Sequence, residues 1–151
     1  MISKKTKYAL KALGALADQD RYADRPMLII DLAKQERIPR KFLEVILLDL
    51  KNHGILRSKM GKGGGYFLAK PARRIQLGTV IRALEGALAP LPCLSRTHYE
   101  KCEECLDESH CRIRLLFKDV YEATLNILDN TSLQEMVDRT KHAQTVLTYD
   151  I

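Results

Sequence analysis

Four cysteines gathered in one short segment are the residues of this chain best suited to chemistry. They lie within nineteen consecutive residues, and the sequence has no other cysteine: Cys93, Cys102, Cys105 and Cys111. Four thiolates can bind Zn²⁺ or either type of iron–sulfur cluster, and Cys102-x2-Cys105 has the spacing of half a zinc motif. The same thiols can form disulfides or act as a redox switch. The spacing alone leaves these alternatives open.

The remaining residues of the segment do not indicate a catalytic site. His98 and His110 lie between the first and last cysteines, so three cysteines with one histidine form a further possible ligand set, although exposed loop positions explain both histidines more simply. The sequence contains no nucleotide-binding fingerprint and no nucleophile with a supporting histidine. The two glutamates between Cys102 and Cys105 disfavour the thiolate form that an oxidoreductase needs. We therefore expect a protein that is not an enzyme.

The expected compartment favours reduced thiols. No segment reaches the roughly 18 apolar residues of a membrane span, and no apolar run follows the lysine-rich start. These features predict a cytoplasmic protein without a membrane partner. Because cytoplasmic thiols are kept reduced, metal binding or redox chemistry is favoured over structural disulfides.

Charge is divided unevenly along the chain. Residues 1–74 contain 17 Lys and Arg against 7 Asp and Glu, a balance of +10, whereas residues 75–151 contain 8 against 12, a balance of −4. A basic half suits a polyanionic partner. Its basic residues are spread over several elements rather than along one amphipathic helix, so nucleic acid is favoured over a membrane surface.

The basic half has the pattern of a helix-turn-helix followed by a hairpin. Helices are predicted at residues 4–17, 27–36 and 40–52, with a polar loop at 18–25. The third helix has a regular apolar stripe, formed by Leu43, Ile46, Leu47 and Leu50. Strands at 55–60 and 66–69 flank a glycine-rich turn at 61–65, which predicts a basic wing. We expect the glycines to let backbone amides approach DNA phosphates.

The acidic half is predicted to be helical on both sides of the cysteine loop. A short helix at 76–84 precedes the loop, and a long helix at 112–129 follows it. The long helix has an apolar face that the remaining chain is too short to cover, which predicts a homodimer formed through this helix. Ser132 and Glu135 form a capping-box pattern that starts a last helix. The expected regions are a DNA-binding domain at 1–74, a linker helix and cysteine-rich sensor loop at 75–111, and dimerisation and C-terminal helices at 112–151.

These motifs together resemble the Rrf-type winged helix-turn-helix regulators of bacteria, which include IscR, NsrR, RirA and CymR. The resemblance runs from about residue 2 to residue 137. It rests on five segments: Tyr8-Ala9-Leu10, Phe42-Leu43-Glu44, Gly61-x-Gly63-Gly64-Gly65-Tyr66-x-Leu68, Ile81-x-x-Leu84-Glu85-Gly86 and Cys105-x5-Cys111. It implies a mainly α-helical fold with a small β-hairpin wing and a long dimerisation helix. It also implies a dimeric transcriptional regulator that binds double-stranded operator DNA.

The resemblance implies a set of DNA contacts. Lys41 and Glu44 match recognition-helix positions that approach bases in the major groove, where a glutamate accepts a hydrogen bond from cytosine. Relatives carry a minor-groove arginine where this chain has Met60, so either Lys59 or Lys62 replaces it or the sequence preference differs. A solvated basic face is the simpler alternative for the cations. The expected DNA-binding residues are Arg40, Lys41, Glu44, Arg57, Lys59, Lys62, Gly63 and Gly64.

The resemblance also favours an iron–sulfur cluster over zinc. Cluster-binding relatives use three cysteines, which Cys93, Cys105 and Cys111 match, whereas Cys102 is additional. The fourth ligand of some relatives is a histidine at the position of Arg114, and that of others is an acidic residue at the position of Tyr8. Neither residue of this chain is such a ligand.

An all-cysteine site for a [2Fe–2S] or [4Fe–4S] cluster is therefore expected, and the loop is expected to sense iron–sulfur, redox or nitrosative status. The alternatives are three cysteines with an outside ligand, a structural zinc site, or a metal-free thiol switch in which Cys102 and Cys105 form a disulfide. A cluster or thiol redox protein that does not bind DNA is a further alternative, which the basic wing disfavours.

Overall fold

The computed structural model describes residues 2–20 and 26–147, which form three helices, a hairpin and three further helices. The elements are α1 (Lys4–Asp20), α2 (Ile29–Glu36), α3 (Arg40–Asn52), β1 (Leu56–Lys59), β2 (Gly65–Leu68), α4 (Leu77–Glu85), α5 (Arg112–Asn130) and α6 (Leu133–Leu147). Short 3-10 turns lie at Ala72–Arg74, Pro92–Leu94 and Glu108–His110. The predicted mainly helical fold with a small hairpin wing is confirmed.

Two predicted boundaries near the start of the chain are wrong. α1 continues to Asp20, so residues 18–20 are helical, and the rest of the predicted loop lies outside the described residues. α2 begins at Ile29 rather than at residue 27. Met27 exchanges two backbone hydrogen bonds of 2.9 Å with Tyr66 of the hairpin. Because this pairing engages the backbone of Met27, the helix begins only after it.

α3 is the centre of the core in the first half of the chain. Its stripe residues are completely buried, as their periodicity predicts: Leu43, Ile46, Leu47 and Leu50. They share one cluster with residues of α1 and α2, among them Leu13 and Leu32. Burial of each such leucine contributes about 1.5–3 kcal/mol. This burial fixes the inward face of α3 and therefore the face that solvent can reach.

The last helix packs back onto this first half. The Ser132 amide donates to Glu135 Oε2 at 2.7 Å, and the Glu135 amide donates to Ser132 Oγ at 3.2 Å, so the predicted capping box is confirmed. The Leu133 amide then donates to the Ile75 carbonyl at 2.8 Å, and Leu133 is buried in the same core cluster as α1. The boundaries of the three expected regions stay a prediction.

The wing is attached at its base to the segment before α2. β1 and β2 are antiparallel, with a register from Leu56 opposite Leu68 to Lys59 opposite Gly65. Gly65 has a φ of +142°, and a Cβ added there would lie 2.4 Å from the Met27 carbonyl oxygen. Only glycine lets the two backbones approach this closely.

α5 has a long apolar stripe that its own chain does not cover in the described structure. Five large residues of the stripe are exposed: Ile113, Leu116, Phe117, Val120 and Ile127. Tyr121 is the buried residue of this helix, and it borders a cavity together with Arg82 of α4. A contiguous exposed apolar surface of this kind marks an interaction site.

Two glycine substitutions should have opposite effects on stability. Gly65→Ala forces a Cβ against the Met27 backbone at an unfavourable φ, and we expect a loss of at least about 2 kcal/mol in the free energy of unfolding. Gly14→Ala, in the middle of α1, meets Met136 Cε at an ordinary 3.7 Å. We expect this control to gain about 0.5–1 kcal/mol. Urea unfolding followed by circular dichroism measures both, and equal effects would contradict the predicted tight contact.

Candidate functional site

The solvent-facing side of α3 carries the charged residues that the sequence singles out. Arg40, Lys41 and Glu44 are all exposed there. Arg40 Nε lies 3.1 Å from Glu44 Oε1, so the carboxylate is shared with a guanidinium one turn away. Such an exposed pair contributes less than about 1 kcal/mol to stability. The pair can therefore open when another acceptor or donor competes.

Two apolar residues lie beside these charges and were not among the candidates. Val45 and Leu48 are more than half exposed, although they belong to a helix whose other face is completely buried. The sequence signal was present, because both fall outside the buried stripe of α3. They make the exposed face partly apolar as well as charged.

Contacts with α1 hold α3 in place. Lys5 of α1 donates to the Asp49 carboxylate of α3, and this contact holds the pKa of Asp49 below its ordinary value. The rings of Tyr8 and Phe42 meet edge to face, with centroids 5.7 Å apart. Tyr8 therefore has a packing role within its own chain.

The wing extends the charged surface of α3. Arg57, Lys59 and Lys62 are exposed, and Met60 between them is 90% exposed. Lys51 Nζ, in the last turn of α3, donates to Ser58 Oγ of β1 at 2.8 Å. The helix and the hairpin are thus linked by a side-chain contact.

The two candidate glycines of the wing differ in their surroundings. Gly64 is buried, its amide donates to the Gly61 carbonyl at 3.0 Å, and a Cβ there would lie 2.3 Å from the Lys59 carbonyl oxygen. Its amide is therefore occupied within the turn. Gly63 is exposed at the tip, with a φ of +75°. Of these two glycines, Gly63 has the exposed position that a phosphate can approach.

The four cysteines border one cavity of about 270 Å³, which is lined by the loop after α4 and by the first turn of α5. Cys93 lies in the turn Pro92–Leu94, and Cys111 is the residue that precedes α5. The Cys105 amide donates to the Cys102 carbonyl at 3.2 Å, which forms a tight turn around these two thiols. All four cysteines are free thiols, and Cys102 is the exposed one.

The surroundings of Cys105 disfavour the thiolate form of its side chain. Burial raises the pKa of the Cys105 thiol, and the neighbouring Cys111 and Cys102 raise it further. Within residues 2–20 and 26–147, no three Cys, His, Asp or Glu side chains converge closely enough to hold a single metal ion. The four cysteines line one cavity, but they do not converge on a single metal position in the described structure.

Neither histidine of the loop joins the cysteine cavity. His98 borders a different cavity beside α5. His110 Nδ1 lies 2.5 Å from Asp107 Oδ2, and both are exposed. Arg114 does line the cysteine cavity, from the first turn of α5.

Two contacts connect α4, the helix before the cysteine loop, with the rest of the chain. At the end of α4, the amide of Ser3, the residue before α1, donates to Glu85 Oε1 at 2.8 Å, and bonds to Ser3 and Thr6 keep the pKa of Glu85 below its ordinary value. Beside the loop, Arg82 of α4 bonds Asp129 of α5 at 2.6 Å. Thus α4 contacts both the first helix and the long helix.

Comparison with known proteins identifies relatives over most of the chain. The family model Rrf2, described as an iron-dependent transcriptional regulator, matches residues 2–139. An Rrf2-like HTH-type transcriptional regulator of Rhodobacter capsulatus is 44% identical over 91% of this chain and 92% of its own. IscR of Yersinia pseudotuberculosis, an HTH-type transcriptional regulator, is 28% identical over 91% of this chain and 79% of its own.

Comparison with solved structures finds the same fold in a protein of this kind. The solved structure of CymR, the global cysteine regulator of B. subtilis, superposes with a TM-score of 0.75 at 27% identity, over 92% of this chain and 97% of that one. None of the described helices is long and apolar enough to cross a membrane. The winged helix-turn-helix, the family match and these relatives lead to one conclusion: the chain belongs to the Rrf2 family of DNA-binding transcriptional regulators.

Proposed function

We propose that this Rrf2-family regulator acts as a homodimer on operator DNA in the bacterial cytoplasm, and that its four-cysteine loop senses iron–sulfur, redox or nitrosative status. The observation that carries the sensory part is the single cavity bordered by Cys93, Cys102, Cys105 and Cys111. This cavity is lined mainly by the loop that joins α4 to α5, so a change in the loop can reach both helices.

α3 is the proposed major-groove helix. Lys41 and the Arg40–Glu44 pair lie on its solvent face, and they are the groups that can exchange bonds with base edges. Arg57, Lys59, Lys62 and the Gly63 amide are the proposed wing contacts to phosphates and the minor groove. Gly64 is proposed to shape the turn that presents them.

Removing single cations should weaken DNA binding in a salt-dependent way. For a duplex selected from a random library, we expect Arg57→Ala and Lys62→Ala each to reduce the slope of log affinity against log salt by about one unit. Arg139→Ala, an exposed cation of α6, is the control and should leave the slope unchanged. Fluorescence anisotropy at several salt concentrations gives the slopes. Unchanged slopes for Arg57→Ala and Lys62→Ala would remove them from the proposed phosphate contacts.

A second copy of α5 is the proposed cover for the exposed stripe. A two-fold pairing buries the stripe of one protomer against that of its partner, and it presents two recognition helices to two half-sites.

A charge placed in the stripe should separate the dimer. Leu116 is 61% exposed, and we expect Leu116→Lys to give a monomer because pairing would bury an uncompensated ammonium. Asn126→Lys, at an exposed position of α5 outside the stripe, adds the same charge and should remain dimeric. Sedimentation velocity distinguishes the two. A dimeric Leu116→Lys protein or a monomeric wild type would contradict the proposal.

An iron–sulfur cluster is the proposed occupant of the cavity. A single Zn²⁺ requires sulfur atoms about 3.8 Å apart, which follows from tetrahedral Zn–S bonds of ~2.3 Å. Cysteines gathered around a shared space are better suited to a cluster, whose several irons separate the thiolates. When bound, a cluster supplies a centre that can be oxidised, reduced or dismantled. Cys93, Cys105 and Cys111 are the proposed ligands, with Cys102 as the fourth.

A thiol switch is the second candidate. The Cys111 thiol lies within hydrogen-bonding reach of Cys105, and both are free. A peroxide could take two electrons and two protons from this pair and join the sulfurs in a disulfide. Such a switch would operate in protein that contains no metal.

Coupling to DNA is proposed to run through α4. The Glu85–Ser3 bond joins its end to the start of α1, and α1 in turn contacts α3 through Lys5 and Asp49. A change in the loop after Gly86 therefore acts on the support of the recognition helix. Couplings of this kind are typically worth about 1–3 kcal/mol.

The state of the loop should alter affinity for the selected operator. We expect protein reconstituted anaerobically with ferrous iron and sulfide to differ from apo protein by about 5–150-fold. The Cys93→Ala/Cys111→Ala protein should bind like apo protein after the same treatment. Leu106→Ala, at a fully exposed position of the loop, should respond like wild type.

The same titration separates the two candidate signals. A difference between peroxide-treated and reduced apo protein, without any effect of iron and sulfide, would establish the thiol switch instead. Equal affinity in every state would contradict a sensory role for the loop.

A further inference from the structure

We propose that Arg114 balances the negative charge of the group held by the four cysteines and donates an N–H to one of its sulfur atoms. This inference rests on the proposed function of the cavity as a metal site. It assigns a positioning role to the residue that occupies the place of a histidine ligand in some relatives.

The environment of Arg114 carries the inference. Its side chain lines the cysteine cavity and is 26% exposed. Its Nε atom is buried and has no hydrogen-bond partner among the described residues. The carboxylate of Glu108 lies 3.9 Å from Nε, which is too far for a hydrogen bond. The other oxygen of Glu108 accepts the hydroxyl of Tyr99 at 2.5 Å.

A buried N–H without an acceptor is unfavourable, and because Arg114 borders the cavity, a group held there can supply the acceptor. Thiolate and sulfide sulfurs are such acceptors. Hydrogen bonds to these sulfurs tune the reduction potential of thiolate-bound metal centres. The planar guanidinium directs its donors in a fixed geometry, which a lysine ammonium lacks.

Charge supports the same assignment. Four thiolates around a doubly charged metal ion or cluster core leave a formal charge of about −2. Part of the cavity wall is apolar, for example at Leu91 and Ile113, and buried charge requires a partner. Lys101 also lines the cavity, but it is exposed to solvent. Arg114 is the cation of the wall with a buried donor atom.

The test uses wild type, Arg114→Gln, Arg114→Lys and the control Arg112→Gln, an exposed arginine in the same turn of α5. Each protein is loaded anaerobically with ferrous iron plus sulfide, and separately with Zn²⁺ alone. Resistance of the bound metal to a chelator is measured for both. The midpoint potential of the iron–sulfide product is measured by redox titration. Circular dichroism melting establishes that each variant is folded.

We expect Arg114→Gln to lose metal about 10–100-fold more readily than wild type, as for other residues that support metal ligands. Its midpoint potential should be lower, because an added electron no longer has a nearby cation. Arg114→Lys should recover most of the potential, and Arg112→Gln should match wild type.

Three results would overturn the inference. Arg114→Gln with wild-type retention and potential would show that its charge has no role at the site. A midpoint potential as low in Arg114→Lys, which keeps the positive charge, as in Arg114→Gln would contradict the charge-balancing role. Wild type that takes up neither iron with sulfide nor zinc would end both this inference and the proposed metal site, whereas the first two results leave that site standing.

Discussion

The complete burial of one face of α3 is the constraint on which the rest of the molecule depends. Leu43, Ile46, Leu47 and Leu50 leave α3 with one possible orientation in the core, so its charged face must point outward. The wing, α1 and α6 all pack around that arrangement. A change that rotates or shifts α3 therefore acts against a well-packed core, and such cores shift between discrete arrangements rather than deform continuously.

The position of α4 explains how the cysteine loop can act on a DNA-binding surface that contains none of its residues. α4 ends at Glu85, which accepts the Ser3 amide, and Arg82 on the same helix bonds Asp129 of α5. The cysteine loop leaves from the end of this helix and returns into α5. A rearrangement of the loop is thus transmitted through contacts to α1 on one side and to the proposed dimer helix on the other.

Local patterns in the sequence predicted much of this structure, and contacts between distant segments account for what they missed. The α3 stripe and the Ser132–Glu135 capping box depend on residues three or four apart, so periodicity and spacing were sufficient. The start of α2 depends on Met27 pairing with Tyr66, a contact that no local pattern contains. The spacing of the cysteines predicted a common site, but the buried Nε of Arg114 required the folded loop.

The composition of protein purified without oxygen tests the central claim, that the four cysteines hold an iron–sulfur cluster in one sensory site. Iron, acid-labile sulfide and zinc should be measured with the visible absorption spectrum, for wild type and for Cys102→Ala. The account predicts a coloured wild type with iron and sulfide in comparable amounts, and a marked loss of both in Cys102→Ala. A colourless wild type with one zinc per chain, or with no metal, would contradict it.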